Sequence, residues 1–179
     1  MTDRWDQRFL DMALLIARMS KDPSTQVGAV IVGPEGHGVR STGFNGFPRR
    51  ILDDHRLEDR ETKYKIIVHA ETNAILNAAR EGVALKGCTL YLVATDATGL
   101  IWGGPPCTRC TVEVIQAGIT TVVSRPKKAV PSRWHDDIMF AGDLLREADV
   151  AYREIWLPAD LCSECGNPKH PGECDDIPF

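Results

Sequence analysis

The 179-residue sequence has no apolar run that approaches the roughly 18–20 residues of a membrane-spanning helix, so no membrane partner is expected. It also lacks an excess of basic residues: the formal net charge is −4, which argues against a strongly basic nucleic-acid binder. The first five residues lack the basic-then-apolar pattern of a signal peptide. We find no internal repeat and no low-complexity stretch. The sequence therefore predicts one cytoplasmic domain with little room for a second.

Six cysteines are present, although disulfides seldom persist in the cytoplasm. Two pairs, Cys107/Cys110 and Cys162/Cys165, have the C-x-x-C spacing, which lets both sulfurs bind one tetrahedral metal ion. The same spacing serves redox chemistry in thioredoxin-like proteins, so further ligands must decide between the two interpretations. Cys88 stands alone, and we interpret it as a small buried apolar residue.

The hydrophobic pattern predicts helices that alternate with short strands. Apolar residues recur at three- and four-residue steps over 4–20, and Pro23 then ends the helical pattern. The other predicted elements are helices at about 70–81, 107–117 and 136–147, and strands at about 27–33, 38–44, 89–95, 120–124 and 149–156. Residues 49–65 are predicted to be a charged surface excursion and 96–104 a glycine-rich loop. This alternation favours a three-layer α/β/α domain over 1–158.

Two of the predicted helices begin with residue types that bind metal ions. His69 and Glu71 open the first, and Cys107 and Cys110 open the second directly after Pro106. The cysteines lie three residues apart, so both sulfurs share one helix face. His69 supplies a third ligand, which leaves the fourth position of a tetrahedral Zn²⁺ ion open, as in catalytic sites. Glu71 is then placed as a general base that is not itself a ligand.

H-x-E followed by P-C-x-x-C is the signature of zinc-dependent nucleobase deaminases. Over about residues 5–156 the chain further resembles the deoxycytidylate (dCMP) deaminase family, within the cytidine deaminase-like superfamily. The shared blocks are S-K-D-P-S-T-Q-V-G-A at 20–29, G-F-N-G-F-P at 43–48, K-Y at 63–64, E-T-N-A-I at 71–75, Q-A-G-I at 116–119 and W-H-D at 134–136. The resemblance implies a central five-stranded mixed sheet and hydrolysis of dCMP to dUMP and ammonia, with Glu71 as the proton shuttle.

The resemblance also implies how a substrate binds. Asn45 is expected to hold the sugar hydroxyl, and the backbone of Ala70 to contact the base; on its own, Asn45 is equally typical of a turn. A phosphate needs basic groups or free donors. The groups that we nominate for it are Lys21, Ser24, Arg49 and Arg125. Taken one at a time, each is equally well interpreted as a solvated surface group or a helix-ending hydroxyl.

The sequence departs from the family in two places. Phe44 stands where the family usually has tyrosine, and the segment 94–104, which contains Trp102, is longer than in the shorter members. A 5-substituted dCMP is therefore an alternative substrate. Many family members form hexamers that respond to dCTP and dTTP, so the resemblance implies a homo-oligomer with these two nucleotides as effectors.

Residues 159–179 form a tail that is rich in Gly, Pro, Asp and Cys. Four potential ligands lie within 13 residues of it, Cys162, Cys165, His170 and Cys174. The spacing resembles a zinc knuckle, and four ligands without an open position predict a second, structural zinc ion. The alternative is a tail with incidental cysteines. Its acidic residues argue against nucleic-acid binding.

Three other functions stay open from the sequence. Another deaminase, such as a tRNA adenosine deaminase, needs a basic face that the net charge does not favour. A zinc-stabilised binding module has no need of Glu71 beside an open metal position. A C-x-x-C oxidoreductase would contain no zinc and would form a reversible disulfide between Cys107 and Cys110.

Overall fold

The computed structural model of the chain describes residues 3–126 and 134–156. The strands are β1 (Thr25–Val32), β2 (Val39–Phe44), β3 (Thr89–Asp96), β4 (Ile101–Trp102), β5 (Thr121–Ser124) and β6 (Ala151–Glu154). The helices are α1 (Asp3–Ala17), α2 (Arg60–Ile66), α3 (Ala70–Arg80), α4 (Thr108–Gln116) and α5 (His135–Glu147). None of these helices combines the length and the apolar character needed to cross a bilayer.

One mixed sheet contains all six strands. Five follow one another in the order β2-β1-β3-β5-β6, and the two-residue β4 pairs with β3 beside this path. β1 runs antiparallel to β2 and β3, whereas β3, β5 and β6 are mutually parallel neighbours. The mixed sheet expected from the sequence is confirmed. The structure adds a sixth strand, β4, within the segment 96–104, for which the sequence predicts a loop.

Alternating side chains of the central strands build two separate cores. Ala29 and Ile31 of β1 pack with residues of α3, α4 and α5, whereas Val30 and Val32 pack with residues of α1. Successive side chains of a strand point to opposite faces, so one strand serves both cores. Burial of each such valine or isoleucine contributes about 1.5–3 kcal/mol. The predicted three-layer α/β/α arrangement is therefore confirmed.

The predicted first helix is shorter than its apolar stripe suggests. α1 ends at Ala17, and the N–H groups of Met19 and Ser20 donate to carbonyls three residues back, at 3.0 and 2.9 Å. This tighter geometry closes the helix before the predicted residue 20. The hydroxyl of Ser20 instead donates to the carbonyl of Asn45 at 2.8 Å, which fixes the start of the following loop.

The charged segment 49–65 is not simply a surface excursion, because it contains most of α2. Asp59 caps this helix by accepting a hydrogen bond from the N–H of Glu61, in the role that aspartate commonly plays at helix starts. The helix carries no apolar stripe that a sequence pattern could detect. Its buried residue is a lysine, Lys63.

Gly43 of β2 allows α3 to approach the sheet closely. A Cβ atom there would overlap the carbonyl oxygen of Ala70 and the backbone nitrogen of Ala74. We expect Gly43→Ala to lower the free energy of unfolding in urea by about 1–3 kcal/mol, because backbone atoms must move to admit the methyl group. The matched control is Gly142→Ala in α5, where an added Cβ meets nothing within 4 Å and helix propensity favours alanine by about 1 kcal/mol. A free energy of unfolding of Gly43→Ala equal to that of the wild-type protein would contradict this close packing.

The predicted tail, 159–179, lies outside the described residues. Its four potential ligands, Cys162, Cys165, His170 and Cys174, lie outside them as well. The division of the chain at residue 158 therefore stays a prediction.

Candidate functional site

Three potential metal ligands meet where α3 and α4 begin. His69 is the N-cap residue of α3, Cys107 is the N-cap residue of α4, and Cys110 lies in the first turn of α4. The Nδ1 atom of His69 lies 3.4 Å from Sγ of Cys107 and 3.3 Å from Sγ of Cys110. Ligands of a tetrahedral zinc ion, at about 2.0–2.3 Å from the metal, are separated by about 3.6 Å. Within 3–126 and 134–156, this is the one cluster of three such side chains close enough to hold an ion.

The donor set suits a soft or borderline metal cation. A hydrogen bond from the thiol of Cys110 lowers the pKa of Cys107 to about 4, so Cys107 is a thiolate near neutral pH. The same bond and burial raise the pKa of Cys110, and the bond to Cys107 raises the pKa of His69 to about 9. A metal ion would therefore replace the protons that Cys110 and His69 otherwise hold. Two sulfurs and an imidazole fit Zn²⁺ and do not suit Mg²⁺ or Ca²⁺.

Long-range contacts hold both helix starts in place. Just before His69, Val68 forms a two-way backbone bridge with Gly46, with N–H to O distances of 2.9 and 3.1 Å. At the other helix, a carboxylate oxygen of Asp137 in α5 accepts from the N–H of Thr108 at 3.0 Å. The hydroxyl of Thr108 also donates to the carbonyl of Asp137, at 3.1 Å. The potential ligands are thus carried by helix starts that the Gly46–Val68 bridge and α5 hold in place.

Glu71 lies in the first turn of α3, next to the ligand cluster. Its side chain is buried, with only 4% of the residue exposed. Burial raises the pKa of Glu71 to about 7, and the negative charge of Cys107 acts in the same direction. A carboxyl group that titrates near neutral pH can both accept and release a proton, which suits a general acid and base.

His69, Cys107 and Glu71 line one cleft, and Cys110 completes the ligand cluster beside it. Much of its wall is apolar and includes Ile67, Leu92, Trp102, Trp134 and Ile138. Its polar side chains include Asp22, Ser24, Thr25, Asn45 and Lys63. An apolar cavity with a few converging polar groups is typical of a site for a small organic ligand.

A model of the cytidine and deoxycytidylate deaminase zinc-binding region matches residues 3–125 of the chain. The chain belongs to this deaminase family. The match includes His69, Glu71, Cys107 and Cys110, so the zinc-binding region coincides with the ligand cluster. The protein is therefore a deaminase, an enzyme that removes an amino group by hydrolysis.

Individual deaminases support the assignment. The chain is 38% identical over 163 residues to the "uncharacterized deaminase in luxG 3′ region" of Aliivibrio fischeri, a match that covers 90% of this chain and 99% of the relative. It is 35% identical over 157 residues to the deoxycytidylate deaminase of Homo sapiens, covering 84% and 79% of the two chains. The fold also matches a crystal structure of dCMP deaminase from the cyanophage S-TIM5 in complex with dCMP and dUMP. That match has a TM-score of 0.68 at 23% identity and covers 86% of this chain and 98% of the other.

Asn45 and Ala70, the two residues nominated for sugar and base in this deaminase, both line the cleft. The side-chain oxygen of Asn45 accepts from the N–H of Val27 at 2.7 Å, and its amide nitrogen donates to the carbonyl of Thr25 at 2.9 Å. These bonds tie the end of β2 to the start of β1. Asn45 is thus held in a fixed orientation at the cleft wall.

Of the four groups nominated for a phosphate, the structure brings only Ser24 to the cleft. Lys21 is 70% exposed and pairs with Asp53 at 3.3 Å. Arg49 donates to the side-chain oxygen of Asn77 in α3 at 2.6 Å. Neither cation lies among the residues of the cleft wall.

Arg125 follows the end of β5, as the sequence suggested, but its side chain turns toward α1. The guanidinium group is buried and donates to Gln7 at 2.8 Å, to Asp11 at 3.2 Å and to the carbonyl of Ile155 at 3.3 Å. A strand end fixes where the backbone leaves the sheet, and it does not decide the direction of a long side chain.

Lys63 is a basic cleft residue that the sequence did not single out as a binding residue. It is 7% exposed, and its Nζ atom donates to Asp22 at 3.1 Å and to the hydroxyl of Ser24 at 2.7 Å. The K-Y block at 63–64 belonged to the family resemblance, but a lysine in a charged segment carries no sign of burial. Only the packing of α2 against the loop before β1 reveals it.

Proposed function

We propose that this deaminase converts dCMP to dUMP and ammonia. The observation that carries the proposal is a cluster of three potential metal ligands, two of which line the cleft, with a buried carboxyl group beside them. Such a set matches the requirements of hydrolytic deamination of a pyrimidine ring. The choice of dCMP is supported by the names of the relatives, which include the deoxycytidylate deaminases of human and mouse at 35% identity.

His69, Cys107 and Cys110 would hold the Zn²⁺ ion. When bound, the ion supplies a Lewis acid that makes water a nucleophile near neutral pH. Glu71 accepts a proton from the attacking water and delivers it to N3 of the cytosine ring. Glu71 then accepts the remaining proton from the hydroxyl now bonded to C4 and passes it to the amine. As the C4–N bond breaks, the amine leaves as ammonia and the C4 oxygen becomes the carbonyl of dUMP. Water and dCMP thus become dUMP and ammonia, and the carboxyl group returns to its starting state.

The cleft wall would position the ring for this reaction. In the proposal the backbone of Ala70 contacts the base, and the fixed amide of Asn45 holds the sugar hydroxyl. The apolar side chains exclude bulk water, which strengthens the electrostatic interactions of the reacting groups.

A 5-substituted dCMP is a second candidate substrate. The observation that favours it is β4, which brings Trp102 into the cleft wall. A hairpin at this place could reshape the space around the ring. Rates with dCMP and 5-methyl-dCMP separate the two substrates directly.

The experiment that tests the proposal is ammonia release from a panel of cytosine compounds. The panel contains dCMP, 5-methyl-dCMP, CMP, deoxycytidine and dCTP, with zinc-loaded protein. We expect dCMP to have the highest kcat/KM of the five. Ammonia release from none of them would overturn the proposal, and a preference for 5-methyl-dCMP would select the second substrate.

A second zinc ion in the tail is a further part of the proposal. The support is the four-ligand spacing of the tail in the sequence. We expect the double substitution of Cys162 and Cys165 by serine to lower the zinc content by about one ion per chain while deamination continues. An unchanged zinc content would show that Cys162 and Cys165 do not bind zinc.

We further propose a homohexamer that responds to dCTP and dTTP. The resemblance to deoxycytidylate deaminases supports it. The mass in solution by light scattering, and rates at subsaturating dCMP with each triphosphate added, test the two parts separately.

A further inference from the structure

The cleft contains few positive charges. Among the described residues of its wall, Lys63 and His69 are the basic ones, and His69 belongs to the metal cluster. A nucleoside monophosphate brings a phosphate with about two negative charges, which needs a cation or several N–H donors close by. The cations nominated from the sequence, Lys21, Arg49 and Arg125, do not line the cleft and have partners elsewhere.

We propose that Lys63, held by Asp22 and Ser24, binds the 5′-phosphate of the substrate. This inference rests on the proposed function, because it names the group that recognises the phosphate of dCMP. It also explains why a lysine is buried in a helix that otherwise carries exposed charge.

The ion pair with Asp22 does not cancel this role. Oδ1 of Asp22 also accepts from the N–H of Ser24 at 2.9 Å, from its hydroxyl at 2.8 Å and from the N–H of Thr25 at 3.2 Å. The negative charge is therefore shared with two backbone dipoles and a hydroxyl. Within the described residues, Nζ of Lys63 has two acceptors, so the third hydrogen of its ammonium group is available to a ligand.

The position of Lys63 fits the proposed position of the sugar. Asn45, the residue proposed for the sugar hydroxyl, donates to the carbonyl of Thr25. Thr25 follows Ser24 in the chain, and Ser24 accepts the hydrogen bond of Lys63. The cleft wall thus continues from the sugar site to the ammonium group through directly bonded neighbours. A phosphate on the same nucleotide would lie along this line.

The competing interpretation is a purely structural ion pair that joins α2 to the loop before β1. A structural pair would affect every substrate equally. A phosphate-binding lysine would affect only substrates that carry a phosphate. Comparison of dCMP with deoxycytidine therefore separates the two roles.

The decisive variant is Lys63→Met, which keeps an unbranched side chain only one atom shorter and removes its charge. We expect kcat/KM for dCMP to fall by about 10–100-fold, mainly through KM, because one charge-assisted hydrogen bond is lost. The value for deoxycytidine should change less than about threefold. Lys63→Arg should restore part of the activity with dCMP. The matched control is Lys65→Met on the same helix, whose side chain is exposed and pairs with Glu61; it should behave as wild type with both substrates.

Binding of dUMP and deoxyuridine, measured by calorimetry, gives a readout that does not depend on turnover. Lys63→Met should weaken dUMP binding by a similar factor and leave deoxyuridine binding unchanged. This binding measurement tests the role of Lys63 even if dCMP proves not to be the substrate. Ammonia release by the wild-type protein tests the proposed function separately.

Equal losses for compounds with and without phosphate would overturn the inference, as would an unchanged response to both. If Lys63→Met does not fold, Ser24→Ala replaces it, since it removes a group that holds the ammonium while it keeps the charge. A loss confined to dCMP and dUMP supports the inference, and any other pattern overturns it.

Discussion

Glu71→Gln is expected to lower kcat for deamination by about 10²–10⁴-fold, the range contributed by a general acid and base. Glutamine has nearly the same shape as glutamate, but its amide cannot accept and return a proton. Because Glu71 is not one of the three clustered ligands, the variant should keep its zinc. It should also bind dUMP with an affinity close to that of wild type.

The measurement is ammonia release from dCMP, together with zinc content and dUMP affinity for the same preparations. Glu81→Gln is the matched control, because Glu81 is the exposed residue at the opposite end of α3. It should match wild type in all three readouts. Equal rates for Glu71→Gln and wild type would defeat the assignment of Glu71 as the proton carrier.

Cys110→Ala should abolish both the metal of the catalytic cluster and the activity. Cys110 is buried, and its sulfur lies 3.3 Å from Nδ1 of His69. Loss of a contact that only supports a metal ligand already lowers metal affinity or activity by about 10–100-fold. Removal of the ligand itself should lower them further. We therefore expect a fall of at least about 100-fold in kcat/KM and the loss of about one zinc ion per chain.

Cys88→Ala is the control for this variant. Cys88 is also buried, but it belongs to the apolar core with Leu85 and Leu90. Its replacement should leave zinc content and activity unchanged and alter only stability. Zinc in the tail does not confuse the comparison, because both variants keep the tail cysteines. Retention of metal and activity by Cys110→Ala would contradict the proposed site.

The sequence predicted those parts of the fold and the site that depend on local spacing. Alanine density and the residues that start and stop helices placed α3 and α4 to within about one residue, because these signals are local in the chain. The C-x-x-C spacing likewise predicted that Cys107 and Cys110 share one helix face. The third member of the cluster, His69, is 38 residues from Cys107, and only the recognised deaminase signature predicted that the structure brings them together.

The features that the sequence missed depend on contacts between distant segments. Asp22 and Lys63 are 41 residues apart, and Thr108 and Asp137 are 29 apart. Nothing in the local pattern indicates that a lysine is buried or that an aspartate accepts a hydrogen bond from the start of another helix. The direction of the Arg125 side chain was missed for the same reason, since its side-chain partners, Gln7 and Asp11, lie more than 100 positions earlier in α1.

The two helices that carry the ligands begin without the usual side-chain cap. His69 and Cys107 occupy positions where serine or aspartate would bond to the first turn, and neither makes such a bond. Each missing cap forgoes about 0.5–2 kcal/mol, although Asp137 offsets part of this at α4. A metal ion that binds only the folded chain returns that free energy. Scarcity of zinc in a cell would therefore reduce the amount of folded enzyme that escapes proteolysis, in addition to its rate of turnover.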